Sequence, residues 1–327
     1  NVSSIFQILG PGLYYCFCMP QTEKKLLWVL KGGLLLVPFI PLIVTYSMFF
    51  PFITGKNFAF RILIEILAVF WVWLMVLSPR FRPRMSPLTI SYAVFVVILA
   101  LAAIFGLSPY KSFWSSYERM EGLFGHLHLF LYFLMLGSVF TTPKDWKIFF
   151  NTSIAVSAIV TIYGFVQLSG VAMINQGGER IDSFFGNALY LAVYLLFHLF
   201  LIAIFFFQTK NWWLKAVYLL LFLMETIIFY YTGSRGPLAG LLLGSSFFLF
   251  IVGLLGTLRI RRLAFAALIS ALLVPAALYV FRDAPIIRSN ISDRFVTVVD
   301  AAAEGRVILW KVAFQGWKER PVLGWGQ

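Results

Sequence analysis

The sequence predicts an all-α protein: a polytopic membrane helix bundle of about nine transmembrane helices, with the start of a large external loop at the C-terminal end. Three observations carry this. Of 327 residues, 61% are hydrophobic and 12% charged, about half the charged fraction of a soluble domain. Several apolar runs approach the ~20 residues that cross a bilayer, while the ~10-residue alternating segments of a membrane barrel are absent. Finally, the charges sort by loop. A net charge of +13 in a soluble protein would suggest nucleic acid. In so apolar a chain it reflects Lys and Arg gathered in cytoplasmic loops, and no nucleic-acid partner is expected. The two cysteines, Cys16 and Cys18, are too few for a disulfide framework or a four-ligand metal site, so neither metal nor cofactor is expected.

Residues 1–31 form an N-terminal segment broken at Gly10-Pro11-Gly12. Its first 20 residues lack the basic start of a cleavable signal. It carries Lys24, Lys25 and Lys31 and is expected on the cytoplasmic side. The bundle, 32–281, is predicted as spans at 32–50, 57–77, 89–106, 124–140, 148–168, 187–207, 216–232, 237–256 and 263–281. The loops alternate in character. The N-terminal segment and loops 78–88, 141–147, 208–215 and 257–262 hold half of the 26 basic residues but only Glu23 and Asp145 among the acids. These are expected inside. The loops 51–56, 107–123, 169–186 and 232–236, with everything after 281, are then outside. They mix both signs of charge with aromatics and Gly. Residues 282–327 begin the external loop. The chain starts at Asn1 and stops at Gln327 in a polar stretch, and both ends are expected to be truncations.

Four outer-face constellations stand out. In Gly177-Gly178-Glu179-Arg180-Ile181-Asp182-Ser183-Phe184-Phe185-Gly186-Asn187, Asn187 can cap the helix that follows. That helix end points outward, and with Arg180 beside it makes an anion site. The alternative is that Arg180 pairs with Glu179 or Asp182. In Thr232-Gly233-Ser234-Arg235-Gly236-Pro237, Pro suits the first helical turn, with Ser234 or Gly236 as cap. Arg235 is either a ligand group or an interface anchor. The loop Ser108–Gly122 carries Trp114, Tyr117 and Arg119 between Glu118 and Glu121. Its aromatics suit a sugar rim or the ordinary interfacial belt. Last, Val307–Lys318 reads as an amphipathic helix with Trp310, Ala313, Phe314 and Trp317 on one face, suited to lie in the membrane interface and stopped by Pro321. Within the spans, Arg61 and Glu65 are one turn apart and are expected to pair. Glu225 sits mid-span. His126 and His128, at an outer mouth, are candidate bases, and His198 is expected to be a core hydrogen-bonder.

Together these residues resemble the O-antigen ligase and polymerase superfamily of bacterial membranes. The resemblance rests on Arg180 with Ser183-Phe184-Phe185-Gly186-Asn187, on Thr232-Gly233-Ser234-Arg235-Gly236, and on Gly305-Arg306 with Trp310 followed by Pro321-Val322-Leu323-Gly324-Trp325-Gly326. It also rests on the Tyr117-Glu118-Arg119-Met120-Glu121-Gly122 loop. It covers roughly 32–327. It implies an inner-membrane, multi-pass enzyme with a periplasmic active face. The donor would be a glycan on undecaprenyl diphosphate, and the acceptor a hydroxyl of lipid A core, another glycan or a protein. No metal is implied. Arg180 and Arg306 match the family's diphosphate-binding, catalytic arginines. Arg235 matches its Ser-Arg-Gly motif, and Arg119, Asn187 and Ser234 are the further substrate-binding candidates. The family's acceptor-activating His lies beyond the Pro-x-Leu-Gly-x-Gly motif, where this chain stops. Expected first is the ligase reaction, with the polymerase or a protein O-oligosaccharyltransferase as alternatives. A lipid-linked glycan flippase or a non-catalytic scaffold is the reading of another class, although no internal repeat of the transporter kind is present.

Overall fold

The computed structural model describes residues 20–175, 178–280 and 307–326. Cys16, Cys18, Gly10-Pro11-Gly12, Gly177, Gly305 and Arg306 lie outside the described residues, as do the charges between Arg282 and Glu304. All regular structure among the described residues is helical. In chain order it comprises α1 Gln21–Leu34, a 3-10 stretch Val37–Leu42, α2 Thr54–Leu77, α3 Pro87–Phe105, the short α4 Pro109–Trp114 and α5 Leu123–Val139. There follow α6 Pro143–Leu168, a 3-10 turn Ser183–Phe185, α7 Ala188–Gln208, α8 Trp212–Tyr231, α9 Arg235–Leu255 and α10 Leu258–Val280. A last helix, α11, covers 307–319.

Among the described residues, 7 helical stretches are long and apolar enough to span a membrane, and α5, at 17 residues, is apolar but shorter. The protein is a multi-pass membrane helix bundle. The helices follow the predicted spans within a few residues, with one exception. The span predicted at 32–50 is not a single helix. Pro38 and Pro41 cannot donate to an α-helical ladder, so the chain tightens into the 3-10 stretch and is extended at Ile43. Helix formation instead begins earlier, after Pro20, with Glu23 in the first turn and Lys31 in the last, each sign at the end the helix dipole favours. Lys24 and Lys25 hide this helix from a hydropathy reading.

The described chain divides into two compact units, Asn1–Val160 with Arg320–Gln327, and Thr161–Glu319. In the first unit, Leu26, Leu30 and Leu34 form an i, i+4 stripe on α1 that packs on Ile64, Leu67 and Leu74 of α2. Lipid tails are as apolar as Leu, so burial itself drives little association here; close fit and interhelical hydrogen bonds matter more. Gly33 supplies the fit, since a Cβ there would collide with Leu67. Trp71 supplies a bond, its Nε1 donating to Ser138 Oγ at 2.8 Å. The N-terminus of α6 is closed by a capping box: Thr142 N donates to Asp145 Oδ2 at 3.1 Å, and Asp145 N to Thr142 Oγ1 at 3.2 Å. Lys31 Nζ reaches Asp145 Oδ1 at 2.6 Å, joining two segments that the charge pattern assigns to the same side.

Nearer the start of α2, Arg61 and Glu65 make no direct ion pair among the described residues, although Glu65 still acts on Arg61 electrostatically. Arg61 Nη2 donates to Met120 O at 2.6 Å, with the guanidinium 5.2 Å from the Phe124 ring. Glu65 Oε1 meets His128 Nε2 at 3.0 Å, while His128 Nδ1 lies 2.7 Å from Phe124 O. The packing of α5 on α2 brings these partners across the helix interface, where they replace the along-helix contact. The final segment returns to this unit: Leu107 N donates to Trp325 O at 3.0 Å. A Cβ on Gly106 would stand 2.7 Å from Gly326 Cα, so two glycines allow the backbones to touch.

The second unit is built on the α7–α8 pair and α9. Gly240 and Gly244 sit one turn apart on α9; a Cβ on them would meet Leu196 at 3.3 Å and Phe200 at 3.1 Å of α7, the small-xxx-small spacing of membrane interfaces. Gly164 does the same for the end of α6 against Ile228 of α8, at 2.9 Å. Glu225 is fully buried in α8 and is not without a partner.

Candidate functional site

The second unit gathers three chain segments at one end: the loop after α6, the start of α7 and the turn between α8 and α9. Their meeting point is Arg180. Its Nε donates to the carbonyl of Thr232 at 2.8 Å, and its Nη2 to Ser234 Oγ at 2.9 Å. The Ser234 hydroxyl itself donates to Ala188 O at 3.2 Å. Ile181 N, next along, donates to Tyr231 O at 3.2 Å. Two segments some fifty residues apart are thus stitched by consecutive residues.

The turn that receives Arg180 requires its glycine. Gly233 has φ +59, the left-handed region that L side chains rarely adopt. Arg180 Nε and Cγ lie 3.5 and 3.7 Å from where a Cβ would be, so the arginine lies along the turn. Thr232 is fully buried and closes α8 by donating its hydroxyl to Phe229 O at 2.7 Å.

The electrostatics are unusual for an arginine beside two acids. Among the described residues, neither Glu179 nor Asp182 pairs with Arg180. Asp182 is fully buried and turned the other way, its Oδ1 accepting from Gln167 Nε2 at 2.8 Å and Asn175 Nδ2 at 3.3 Å. Among the described residues, the guanidinium is therefore held by neutral acceptors, a carbonyl and a hydroxyl. Arg180 itself is exposed, and Nη1 is not used in either contact. A planar donor fork anchored on one edge and uncompensated on the other is suited to an anion with several oxygens.

The two helix ends differ. Asn187 caps α7, its Oδ1 accepting from Leu189 N at 2.8 Å. Ser234 occupies the N-cap position of α9, but its side chain makes no cap bond; the hydroxyl is committed to Arg180 and Ala188. The start of α9 thus has no side-chain cap bond from Ser234, and a Cβ on Gly236 would meet nothing within 4 Å. Open space adjoins a positive helix end. Arg235, the first residue of α9, is exposed and engaged by a neighbour.

Of the sequence candidates, Arg180, Asn187, Ser234 and Arg235 come together in this unit. Arg119 belongs to the first unit, exposed on the loop before α5, where its backbone N–H donates to Ser116 O at 3.2 Å. Arg306 lies outside the described residues. Thr232 enters the sequence reading only as part of the motif around Ser234 and Arg235, and Gln167 is not singled out there. Thr232 acts through its carbonyl, which no side-chain pattern announces; Gln167 reads as the end of an apolar span, and its only signal is a long amide just before Ser169-Gly170. The two ring nitrogens of His128 lie 2.7 Å from Phe124 O and 3.0 Å from Glu65 Oε1. The clefts beside Phe105 and Arg320, of about 360 Å³, and beside Lys144 and Asn151, of about 590 Å³, lie in the first unit and are not lined by Arg180. Among the described residues, no group of three or more His, Cys, Asp or Glu could hold a metal ion.

Residues 217–327 match the family model described as O-antigen ligase. No curated protein and no solved structure matches the chain. The matched stretch contains Thr232, Gly233, Ser234 and Arg235; Arg180 lies upstream of it and is hydrogen-bonded into it. Over that stretch, about a third of the chain, the sequence is similar to the O-antigen ligase family.

Proposed function

We propose that the protein transfers a glycan from a prenyl-diphosphate carrier, of the undecaprenyl type, to an acceptor hydroxyl at the outer face of the bacterial inner membrane, as an O-antigen ligase does. The observation that carries this is Arg180: an exposed guanidinium fixed by Thr232 O and Ser234 Oγ and left without a carboxylate partner among the described residues. In the reaction, the acceptor oxygen bonds to the anomeric carbon of the donor sugar. The bond from that carbon to the phosphate oxygen breaks, and its electron pair leaves with the diphosphate. The acceptor proton passes to a base. Negative charge grows on the leaving diphosphate, so donors fixed beforehand at that place lower the barrier, more so where water is scarce.

Arg180 supplies such donors, the positive end of the α9 dipole adds to them, and Arg235 adds positive charge beside it. Arg306 is proposed as the second diphosphate arginine. Asn187 and Ser234 hold the floor of the site, one by starting α7 and the other by bracing Arg180. None of these roles requires a metal.

The test is Arg180→Lys, which keeps the charge and loses the fork. Binding of undecaprenyl diphosphate to the detergent-purified protein is measured beside glycan transfer. The expected result is a fall of about tenfold or more in affinity and of about a hundredfold in transfer, the scale of one lost donor at a developing charge. Full affinity and full transfer in Arg180→Lys would overturn the role assigned to it.

A further inference from the structure

Gln167 occupies the last turn of α6, is almost fully buried, and has every hydrogen-bonding position of its amide filled. Its Nε2 donates to Asp182 Oδ1 at 2.8 Å and to Met173 O at 2.9 Å. Its Oε1 accepts from Ser183 N at 2.7 Å and Asp182 N at 3.3 Å. A side-chain amide has two donors and two acceptor lone pairs, and here four partners from three loop residues match them. Ser183 is fully buried with φ +47, a left-handed conformation unfavourable to a residue with a Cβ, and the Gln167 bond to its N–H helps to hold it there. Asp182, also fully buried, is gripped by two amides, those of Gln167 and Asn175.

The consequence concerns Arg180, two residues before Asp182 and within reach of its carboxylate on a long side chain. An Asp–Arg ion pair is the natural outcome of such spacing, and it would neutralise the guanidinium. We propose that Gln167 is the positioning residue that keeps Asp182 away from Arg180, so that the arginine stays uncompensated and open to the diphosphate of the donor. Gln167 touches no substrate; it acts by separating two opposite charges that the chain places side by side. The diphosphate part of this inference rests on the function proposed above, whereas the separation of Asp182 from Arg180 does not.

The experiment follows from that distinction. In Gln167→Met the side chain keeps its bulk and loses the amide. Asp182 is then released to Arg180, and affinity for undecaprenyl diphosphate falls by about tenfold, the worth of one charge-assisted contact. In Gln167→Met/Asp182→Asn the competing carboxylate is gone and most of that affinity returns, to within about threefold of the wild type. A merely structural Gln167 predicts the reverse, with the double variant no better than the single and less stable. The second readout needs no donor: the rate at which phenylglyoxal modifies Arg180, followed by mass spectrometry, drops in Gln167→Met and recovers in the double variant. If Arg180→Lys binds the carrier normally while the phenylglyoxal pattern holds, the diphosphate reading falls and the charge separation stands. If Arg180→Lys loses binding but Gln167→Met keeps it, or the double variant shows no recovery, the inference about Gln167 is overturned. Should Gln167→Met fail to fold, Gln167→Glu serves. Its carboxylate expels Asp182 by repulsion, and Asp182→Asn, able to donate to the new Glu, again restores affinity and reactivity, or else refutes the proposal.

Discussion

Arg61 in the first unit and Arg180 in the second each donate to the carbonyl of a loop some fifty residues further along, Met120 at 2.6 Å and Thr232 at 2.8 Å. What surrounds them differs. Arg61 is buried, lies against the Phe124 ring, and has Glu65 one turn away on its own helix, where the carboxylate is taken by His128. Arg180 is exposed, its second partner is a serine hydroxyl, and the nearest carboxylate is turned inward by two amides. The same device, a guanidinium on a distant carbonyl, closes one loop and leaves the other with an unmatched positive edge. The difference teaches that an arginine's role is set by what its remaining N–H groups can still reach, and not by the loop it ties.

That comparison breaks most visibly if both arginines are replaced by Met. Arg180→Met is expected to reduce glycan transfer by about two to three orders of magnitude, as loss of a donor at developing charge does, with little change in melting temperature because the residue is exposed. Arg61→Met is expected to act the other way round. It removes a buried bond between a charged donor and Met120 O, at a cost of about 1.5–3 kcal/mol, seen as a lower melting temperature in detergent, while affinity for the lipid diphosphate per folded molecule is retained. Equal losses of transfer in the two variants, once corrected for folded protein, would remove the distinction.

The sequence made the bundle legible because the bilayer imposes one simple rule, long apolar runs closed by polar loops, and α2, α3 and α6 to α9 obey it. It failed at 32–50, where Pro38 and Pro41 outweigh hydropathy, and at α1, where lysines mask a helix. The site was legible as residue types: Arg180, Asn187, Ser234 and Arg235 were marked by their place beside helix starts. Their division of labour was not. Ser234 reads as a helix cap and instead braces Arg180, because the loop after α6 reaches it first. The alternative reading pairs Arg180 with Glu179 or Asp182, and Asp182 is instead bonded to Gln167 and Asn175. Both outcomes depend on contacts between segments far apart in the chain, which spacing alone does not encode.

A smaller effect is expected at the turn beneath Arg180. Gly233→Ala places a Cβ at φ +59, where an L residue loses roughly 1–2 kcal/mol. The neighbouring Arg180 atoms, at 3.5 Å and beyond, leave room for the methyl group itself. The turn can relieve the strain by shifting Thr232 O, and Arg180 then loses its anchor. The expected result is a fall of several-fold in diphosphate affinity, with a melting temperature lower by only a few degrees. Gly106→Ala in the first unit meets a different obstacle, backbone atoms of Gly326 and Trp325 within 3 Å. It should displace the final segment and lower stability without a matching change in affinity.

The smallest contrast uses one residue type in one formal position. Ser86 and Ser234 both stand at a helix N-cap. Ser86 acts as one, its Oγ accepting from Thr89 N at 3.1 Å at the start of α3, whereas Ser234 gives α9 no cap bond and holds Arg180 Nη2 instead. Ser86→Ala is therefore expected to cost about 1 kcal/mol of stability and to leave diphosphate affinity where it was. Ser234→Ala removes no cap. It frees one arm of the guanidinium and removes the hydroxyl's bond to Ala188 O, so affinity should fall by a few-fold, about one neutral hydrogen bond's worth, while α9 keeps its start. A thermal melt and a carrier-binding isotherm on the two variants decide it: if Ser234→Ala behaves like Ser86→Ala, the hydroxyl is a cap after all, and Arg180 stands on the Thr232 carbonyl alone.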